Sequence, residues 1–226
     1  MQIAPKIHAI DLALLVENNL IISDIHLGYE EALNKRGILV PKFQYEDTIK
    51  RLEKIFAQIR AQNIKLNNII INGDVKHQFG KISDDEWRDV LRLIDYLIAK
   101  LEENNKNKSN LILIKGNHDN VAKYIAERRD LQVVNQFIID DILVLHGDTI
   151  PEQINSKIKT IIIGHEHPAI GLRESESSVR REVFKCFLKG EWKREINKNN
   201  LLKKLGKNKK YQLIVMPSFN LVTEGT

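Results

Sequence analysis

Six of the seven histidines in this 226-residue chain lie in short turns beside aspartate, asparagine or glycine. In order, the turns read Ser23-Asp24-Ile25-His26, Gly73-Asp74-Val75-Lys76-His77, Gly116-Asn117-His118-Asp119, His146-Gly147-Asp148 and Gly164-His165-Glu166-His167, and only His8 stands apart. Imidazole and carboxylate together are a ligand set for Mn²⁺, Fe²⁺, Zn²⁺ and similar ions, with no thiolate here to bias it towards zinc. Seven side chains are candidate ligands: Asp24, His26, Asp74, Asn117, His146, His165 and His167. One ion with open positions does not need seven protein groups, whereas two ions about 3.5–4 Å apart that share a bridging carboxylate do. Two divalent ions against the two aspartates leave a positive site that attracts a phosphate ester. The metals would also lower the pKa of bound water to about 7, giving a nucleophile at neutral pH. A single Asp-x-His is an ordinary turn; five such turns in succession call for a common explanation.

The turns need strands to place them. Residues two apart, Asp24 with His26 and His165 with His167, are expected to project to one side as a pleated strand ends. Apolar runs precede the turns: Leu20–Ile22, Asn68–Ile71, Leu111–Ile114, Ile142–Leu145 and Ile161–Ile163, with Leu12–Val16 pairing to the first across Asn18-Asn19. Gln44–Gln62 and Asp84–Glu103 carry apolar residues at helical spacing, the second capped by Ser83. Apolar strands interleaved with helices describe an α/β domain with at least partly parallel pairing, whose function gathers at the carboxyl ends of the strands. Beyond about residue 130 the helices thin out, and 179–188 and 211–216 read as a more β-rich half. Gly73, Gly116 and Gly164 are expected to let the loops turn tightly and the ligands approach.

Composition bounds the rest. Hydrophobic residues at 42% and charged residues at 29% suit one soluble globular domain over 1–226 rather than a disordered chain. The single Cys186 excludes an intrachain disulfide framework. No apolar run reaches the roughly 18 residues of a membrane span, and Pro5, His8, Asp11 and Glu17 break up the N-terminus, so a cytoplasmic protein with no membrane contact is expected. The net charge of +5 is uneven: Lys189–Lys210 holds nine Lys or Arg against two Glu, so the remainder is slightly acidic. This basic insertion, about 190–210, has two readings. Trp192, Ile196, Leu201, Leu202 and Leu205 among the lysines suggest a short amphipathic helix that contacts a nucleic-acid backbone, with the aromatic stacked on a base. Otherwise it is a solvated loop.

The five turns match, in order, D-x-H, G-D-x-x-H, G-N-H-D, H and G-H-x-H, and from about residue 20 to 170 the chain resembles the calcineurin-like metallophosphoesterases. The resemblance implies two mixed β-sheets packed as a sandwich flanked by helices, with a two-metal centre between the sheet edges. It implies that Asp24, His26 and His167 hold one ion and Asn117, His146 and His165 the other, with Asp74 bridging. Mn²⁺ is the expected ion, with Fe, Zn, Ni or Mg as alternatives. His118 would then assist the leaving oxygen with Asp119 orienting it, and His77 would support the loop or a ligand.

The Asp24–Glu31 stretch, 76–80, 164–170 and Met216-Pro217-Ser218-Phe219-Asn220 are similar to archaeal-type phosphoesterases related to SbcD-type DNA-repair nucleases and DNA-ligase-associated phosphoesterases. That similarity implies a phosphodiesterase or nuclease acting on DNA or RNA in repair or processing. It also brings a helicase, ligase or ATPase partner or a homodimer into view. The capping domain and ATPase-binding segment of SbcD-type nucleases are not expected in a chain this short. A small-molecule phosphoesterase (cyclic nucleotide, dinucleoside polyphosphate or phosphomonoester) is the alternative. A non-catalytic scaffold is disfavoured, because scaffolds substitute ligands or the His118 position and this chain keeps them all.

Overall fold

The computed structural model describes residues 1–78, 82–105, 110–119, 122–129, 131–151, 154–173, 181–193 and 210–222. The first half is a seven-stranded sheet: β1 (Gln2–Ala4), β2 (Ile7–Ile10), β3 (Ala13–Val16), β4 (Asn19–Ser23), β5 (Asn68–Asn72), β6 (Asn110–Ile114) and β7 (Gln132–Val134), side by side in that order. The first four strands pair antiparallel and β4 to β7 pair parallel. The parallel crossovers carry α1 (Tyr29–Lys35), α2 (Gln44–Ala61), α3 (Asp84–Asn104) and α4 (Ala122–Arg129). The second sheet joins β8 (Gln136–Ile139), β9 (Ile142–Leu145), β10 (Thr160–Ile163), β13 (Leu188–Lys193) and β14 (Lys210–Val215) in the order β13-β14-β10-β9-β8. A separate ribbon pairs β11 (Ala169–Arg173) with β12 (Arg181–Lys185).

Strict alternation decides which way each strand faces. Leu20, Ile22, Ile69, Ile71, Leu111 and Leu113 pack with Leu52, Ile55, Val90 and Leu97 of α2 and α3. The residues between them, Ile21, Ile70 and Ile112, pack instead with Ile142, Val144, Ile162 and Ile214 of the second sheet. The apolar runs are thus strands buried on both faces, and the two mixed sheets form a sandwich with helices outside the first. The outer face of the second sheet is covered by Ile158 and Tyr211, with Trp192 packed against them.

The helical periods of α2 and α3 match the spacing, and Ser83 Oγ accepts from the Glu86 backbone N–H at 3.2 Å as the N-cap of α3. Trp192 corrects one expectation. It lies in β13, opposite Tyr211 with ring centroids 5.7 Å apart, so its indole packs on the sheet and does not belong to an amphipathic helix. Ile196, Leu201, Leu202 and Leu205, with the rest of 194–209, lie outside the described residues. The flanking Lys193 and Lys210 are register partners across the β13–β14 ladder. Among the described residues no helix is long and apolar enough to cross a membrane.

Candidate metal centre

Each candidate ligand sits just beyond the carboxyl end of a buried strand. Asp24 and His26 follow β4, Asp74 follows β5, Asn117 follows β6, His146 follows β9, and His165 and His167 follow β10. The first sheet supplies four of them and the second sheet three, so the cluster forms where the two sheets meet.

Pleat alternation is not what aligns them. Asp24, His26, Asp74, His165 and His167 adopt left-handed backbone with φ of 55°, 49°, 49°, 65° and 45°. A non-glycine residue rarely takes this conformation, and each instance costs on the order of 1–3 kcal/mol. The strands have already ended, at Ser23 and Ile163, and the reversed backbone swings alternate side chains to one side. Such strain persists only where surrounding contacts hold it. Here Gln44 Nε2 donates to the carbonyls of His26 at 2.6 Å and Ile25 at 3.1 Å. Phe219 N donates to Ser23 O at 2.8 Å, and Asp24 accepts from Ser23 Oγ at 2.6 Å and from the His165 N–H at 3.1 Å.

The donors gather into three groups, of which two, Asp24/His26/His167 and Asp74/His146/His165, consist of candidate ligands alone, while the third joins His26 to the rings of His77 and His118. In the first, His26 Nε2 faces His167 Nε2 at 3.2 Å, and His167 Nε2 lies 3.3 Å from Asp24 Oδ1. In the second, His146 Nε2 lies 3.3 Å from Asp74 Oδ2, 3.0 Å from Asn117 Oδ1 and 3.2 Å from His165 Nδ1. Asp74 stands between them, its Oδ2 also 3.8 Å from His26 Nε2. Ligands about 2.0–2.2 Å from one ion fall roughly 3–3.5 Å from each other, so these separations fit donors converging on a shared cation. Two facing imidazole nitrogens can share one proton in a neutral N–H···N hydrogen bond, and a cation between them would take both lone pairs instead.

Electrostatics agree with a cation site. Burial drives His26 down to about 2, aided by the neighbouring imidazoles and against the pull of Asp74, so its ring stays neutral and its lone pair available. Burial also works against charge on His146, but Asp74 and Asp24 beside it prevail and hold it up at about 9. Burial likewise opposes charge on Asp74, yet His146 and the His118 backbone N–H keep it down at about 2. His146 Nδ1 donates to Asn72 O at 3.2 Å, which leaves Nε2 as the atom turned into the cluster.

His118 Nε2 lies 3.9 Å from Asp74 Oδ2. Its orienting partner is not Asp119. Both Asp119 oxygens are taken by backbone N–H groups, Val75 at 3.0 Å and Gly116 at 3.1 Å, and burial raises this carboxyl to about 6. His118 Nδ1 instead donates to the carbonyl of His77, which fixes the tautomer. That peptide is held in turn by Glu86, fully buried, whose Oε1 accepts from the N–H groups of His77 at 3.0 Å and Gln78 at 3.1 Å. Glu86 is thus a supporting position for the loop that carries the His77 carbonyl, and it does not stand out in the sequence. The Ser83-x-x-Glu86 capping pattern was the available signal, and the carboxylate reaches the neighbouring loop instead of its own N-cap. His77 contributes its carbonyl, while its ring packs edge-on against Tyr29 with centroids 4.6 Å apart.

Two glycines are required by proximity alone. A Cβ on Gly116 would lie 2.2 Å from Asp74 Oδ1, and one on Gly164 would lie 2.0 Å from Ser23 Oγ and 2.4 Å from Asp24 Oδ2. Neither distance permits a side chain.

Comparison with known proteins places this geometry. A nuclease from Pseudomonas putida, MPE, shares the fold at a TM-score of 0.54 and 22% identity, covering 96% of this chain and 82% of that one. A protein of unknown function from Aquifex aeolicus aligns at 20% identity and a TM-score of 0.39, over 70% of this chain and 82% of that one. No curated protein matches. The family profile of the calcineurin-like phosphoesterases matches residues 19–190, a span that takes in all seven candidate ligands and His118. The chain belongs to that family, the calcineurin-like phosphoesterases, metal-dependent hydrolases of phosphate esters.

Proposed function

We propose that the protein is a two-metal phosphodiesterase that cleaves nucleic acid, with Mn²⁺ as its working ion, in repair or processing. The observation that carries this reading is the pair of donor groups with Asp74 between them and His118 beside them. The Pseudomonas putida protein of the same fold is a nuclease, which supports nucleic acid as the first substrate to test.

In this reading Asp24, His26 and His167 would hold one ion and Asn117, His146 and His165 the other, with Asp74 placed to serve both. When bound, the cations supply Lewis acidity at phosphorus and bring water towards a nucleophile at neutral pH. The chain's own residues do the rest. Side-chain exposure rises from 0–4% at Asp24, His146, Asp74 and His26 to 12% at His118 and 18% at His167, and with half-buried Asn117 and His165 these two rings form the open rim from which substrate approaches. With Nδ1–H committed to the His77 carbonyl, His118 presents Nε2 inward. Protonated there, it donates to the ester oxygen that departs as the P–O bond breaks.

The test is metal-stripped protein reloaded with Mn²⁺ and offered bis-p-nitrophenyl phosphate, p-nitrophenyl phosphate, and labelled single- and double-stranded DNA and RNA. Cleavage of diesters and nucleic acid is expected. His118→Ala should keep both metals and lose about 10²–10⁴ in turnover, while Asp74→Ala should lose metal as well. Turnover of monoesters with nucleic acid left intact would overturn the nuclease reading and favour a metabolite phosphoesterase.

A further inference from the structure

A groove of about 940 Å³ opens directly from the Asn117/His146 side of the centre. It lies at the seam between the sheets, where the single residue Asn135 carries the chain from β7 to β8, and the Lys115 N–H fastens the seam by donating to Val134 O at 2.9 Å. Its size is near the top of the roughly 300–1,000 Å³ range of small-ligand sites, far more than a phosphoryl group needs. Its lining is close to neutral: apart from His146, the described lining residues carry formal charge only at Lys115 and Asp148, which oppose each other. A track for a phosphate backbone would be lined by several cations. This groove instead offers the uncharged groups of Asn135, Gln136 and Thr149 around apolar Val134, Leu145 and Ile150.

We infer that the groove is a nucleoside subsite: it holds the base and sugar attached to the scissile phosphate on the Asn117/His146 side. Carboxamides each present two donors and one acceptor, the complement of a base edge, and the apolar residues cover the flat of the ring and the sugar. Among the described lining residues there is no Phe, Tyr or Trp, and the one ring, His146, is buried in the metal centre, so recognition rests on edge hydrogen bonds rather than sequence-tolerant stacking. The subsite therefore discriminates among bases. This inference rests on the phosphodiesterase reading and extends it: the substrate carries a nucleoside next to the cleaved bond.

The test compares Mn²⁺-loaded wild type with Asn135→Ala/Gln136→Ala. The substrates are p-nitrophenyl esters of the four deoxynucleoside monophosphates, with bis-p-nitrophenyl phosphate, which lacks a nucleoside, as reference. Wild type should show a KM at least about tenfold lower for its preferred nucleoside ester than for the reference. The double variant should raise that KM about tenfold and leave turnover of the reference unchanged, as expected for the removal of one or two hydrogen bonds. Saturation-transfer NMR with the four free deoxynucleosides reads the same groove without catalysis. Unchanged KM values and unchanged saturation transfer in the variant would overturn the subsite. If neither diester is cleaved but nucleoside binding is selective and lost in the variant, the phosphodiesterase reading fails and the subsite stands. A uniform loss of turnover on all substrates is decided by the NMR measurement on the same variant.

Discussion

His118 is set by a relay of backbone groups, and the relay ends at a buried carboxylate. Glu86 Oε1 holds the His77 and Gln78 N–H groups, and the His77 carbonyl then receives His118 Nδ1–H. What this requires of Glu86 is an acceptor, not a charge. Glu86→Gln should therefore retain turnover, whereas Glu86→Ala should lower kcat about tenfold with KM and metal content unmoved. If Gln is as damaging as Ala, the charge matters and the relay is wrong. Burial raises the Glu86 carboxyl above its ordinary range, with the Gln78 and His77 N–H groups working the other way. A raised carboxyl disfavours the ionised folded state, so its cost is full at neutral pH and fades as pH falls through the carboxylate range. Thermal melts should accordingly show Glu86→Gln at or above wild type near pH 7–8, with the gap closing towards about pH 4. His146 makes a second prediction. Burial opposes its proton, but Asp74 and Asp24 hold it to about 9, so a cation binding at Nε2 must displace it. Metal affinity should rise about tenfold per pH unit up to that value. Titration calorimetry in buffers of different ionisation enthalpy should show proton release near neutral pH, and none would mean that His146 is already neutral.

At the scale of elements, the strands and the places where turns end them were legible, and the backbone conformation of those turns was not. Runs such as Ile69–Ile71 and Leu111–Leu113 announce strands because both faces are buried, and α2 and α3 announce themselves because one face is. α1 has only seven residues and α4 little apolar periodicity, so neither stands out in the sequence. The left-handed backbone at Asp24, His26, Asp74, His165 and His167 has no local signature, since none of these residue types demands it. It is imposed by packing from elsewhere, and glycine is spent where two turns nearly touch. Gly164→Ala should leave the circular dichroism spectrum intact yet push Asp24 aside, lowering bound metal from two ions to one. Gly116→Ala presses on Asp74 itself and should lose both. Elemental analysis of folded protein checks this, and full metal occupancy in either variant would contradict it.

For the whole molecule, the centre exists only because the sandwich closes: Asp24, His26, Asp74 and Asn117 come from one sheet, and His146, His165 and His167 from the other. The basic segment is a separate matter, joining β13 to β14. If it grips nucleic acid, deleting 195–210 should reduce the slope of log affinity against log salt by about 0.9 for each phosphate no longer neutralised, with p-nitrophenyl ester turnover unchanged; an unmoved slope would make it only a loop. From residue order alone follow the donor types, their place after apolar runs, and the α/β class, because ligand chemistry and burial period are local properties written into neighbouring residues. Three dimensions decided the rest: the convergence of seven donors into two groups around Asp74, the left-handed turns that aim them, the His77 carbonyl rather than Asp119 as the partner of His118, and the neutral groove beside Asn117 and His146. These depend on contacts between residues as far apart as Asp24 and His165, and such contacts come into being only when the two sheets pack.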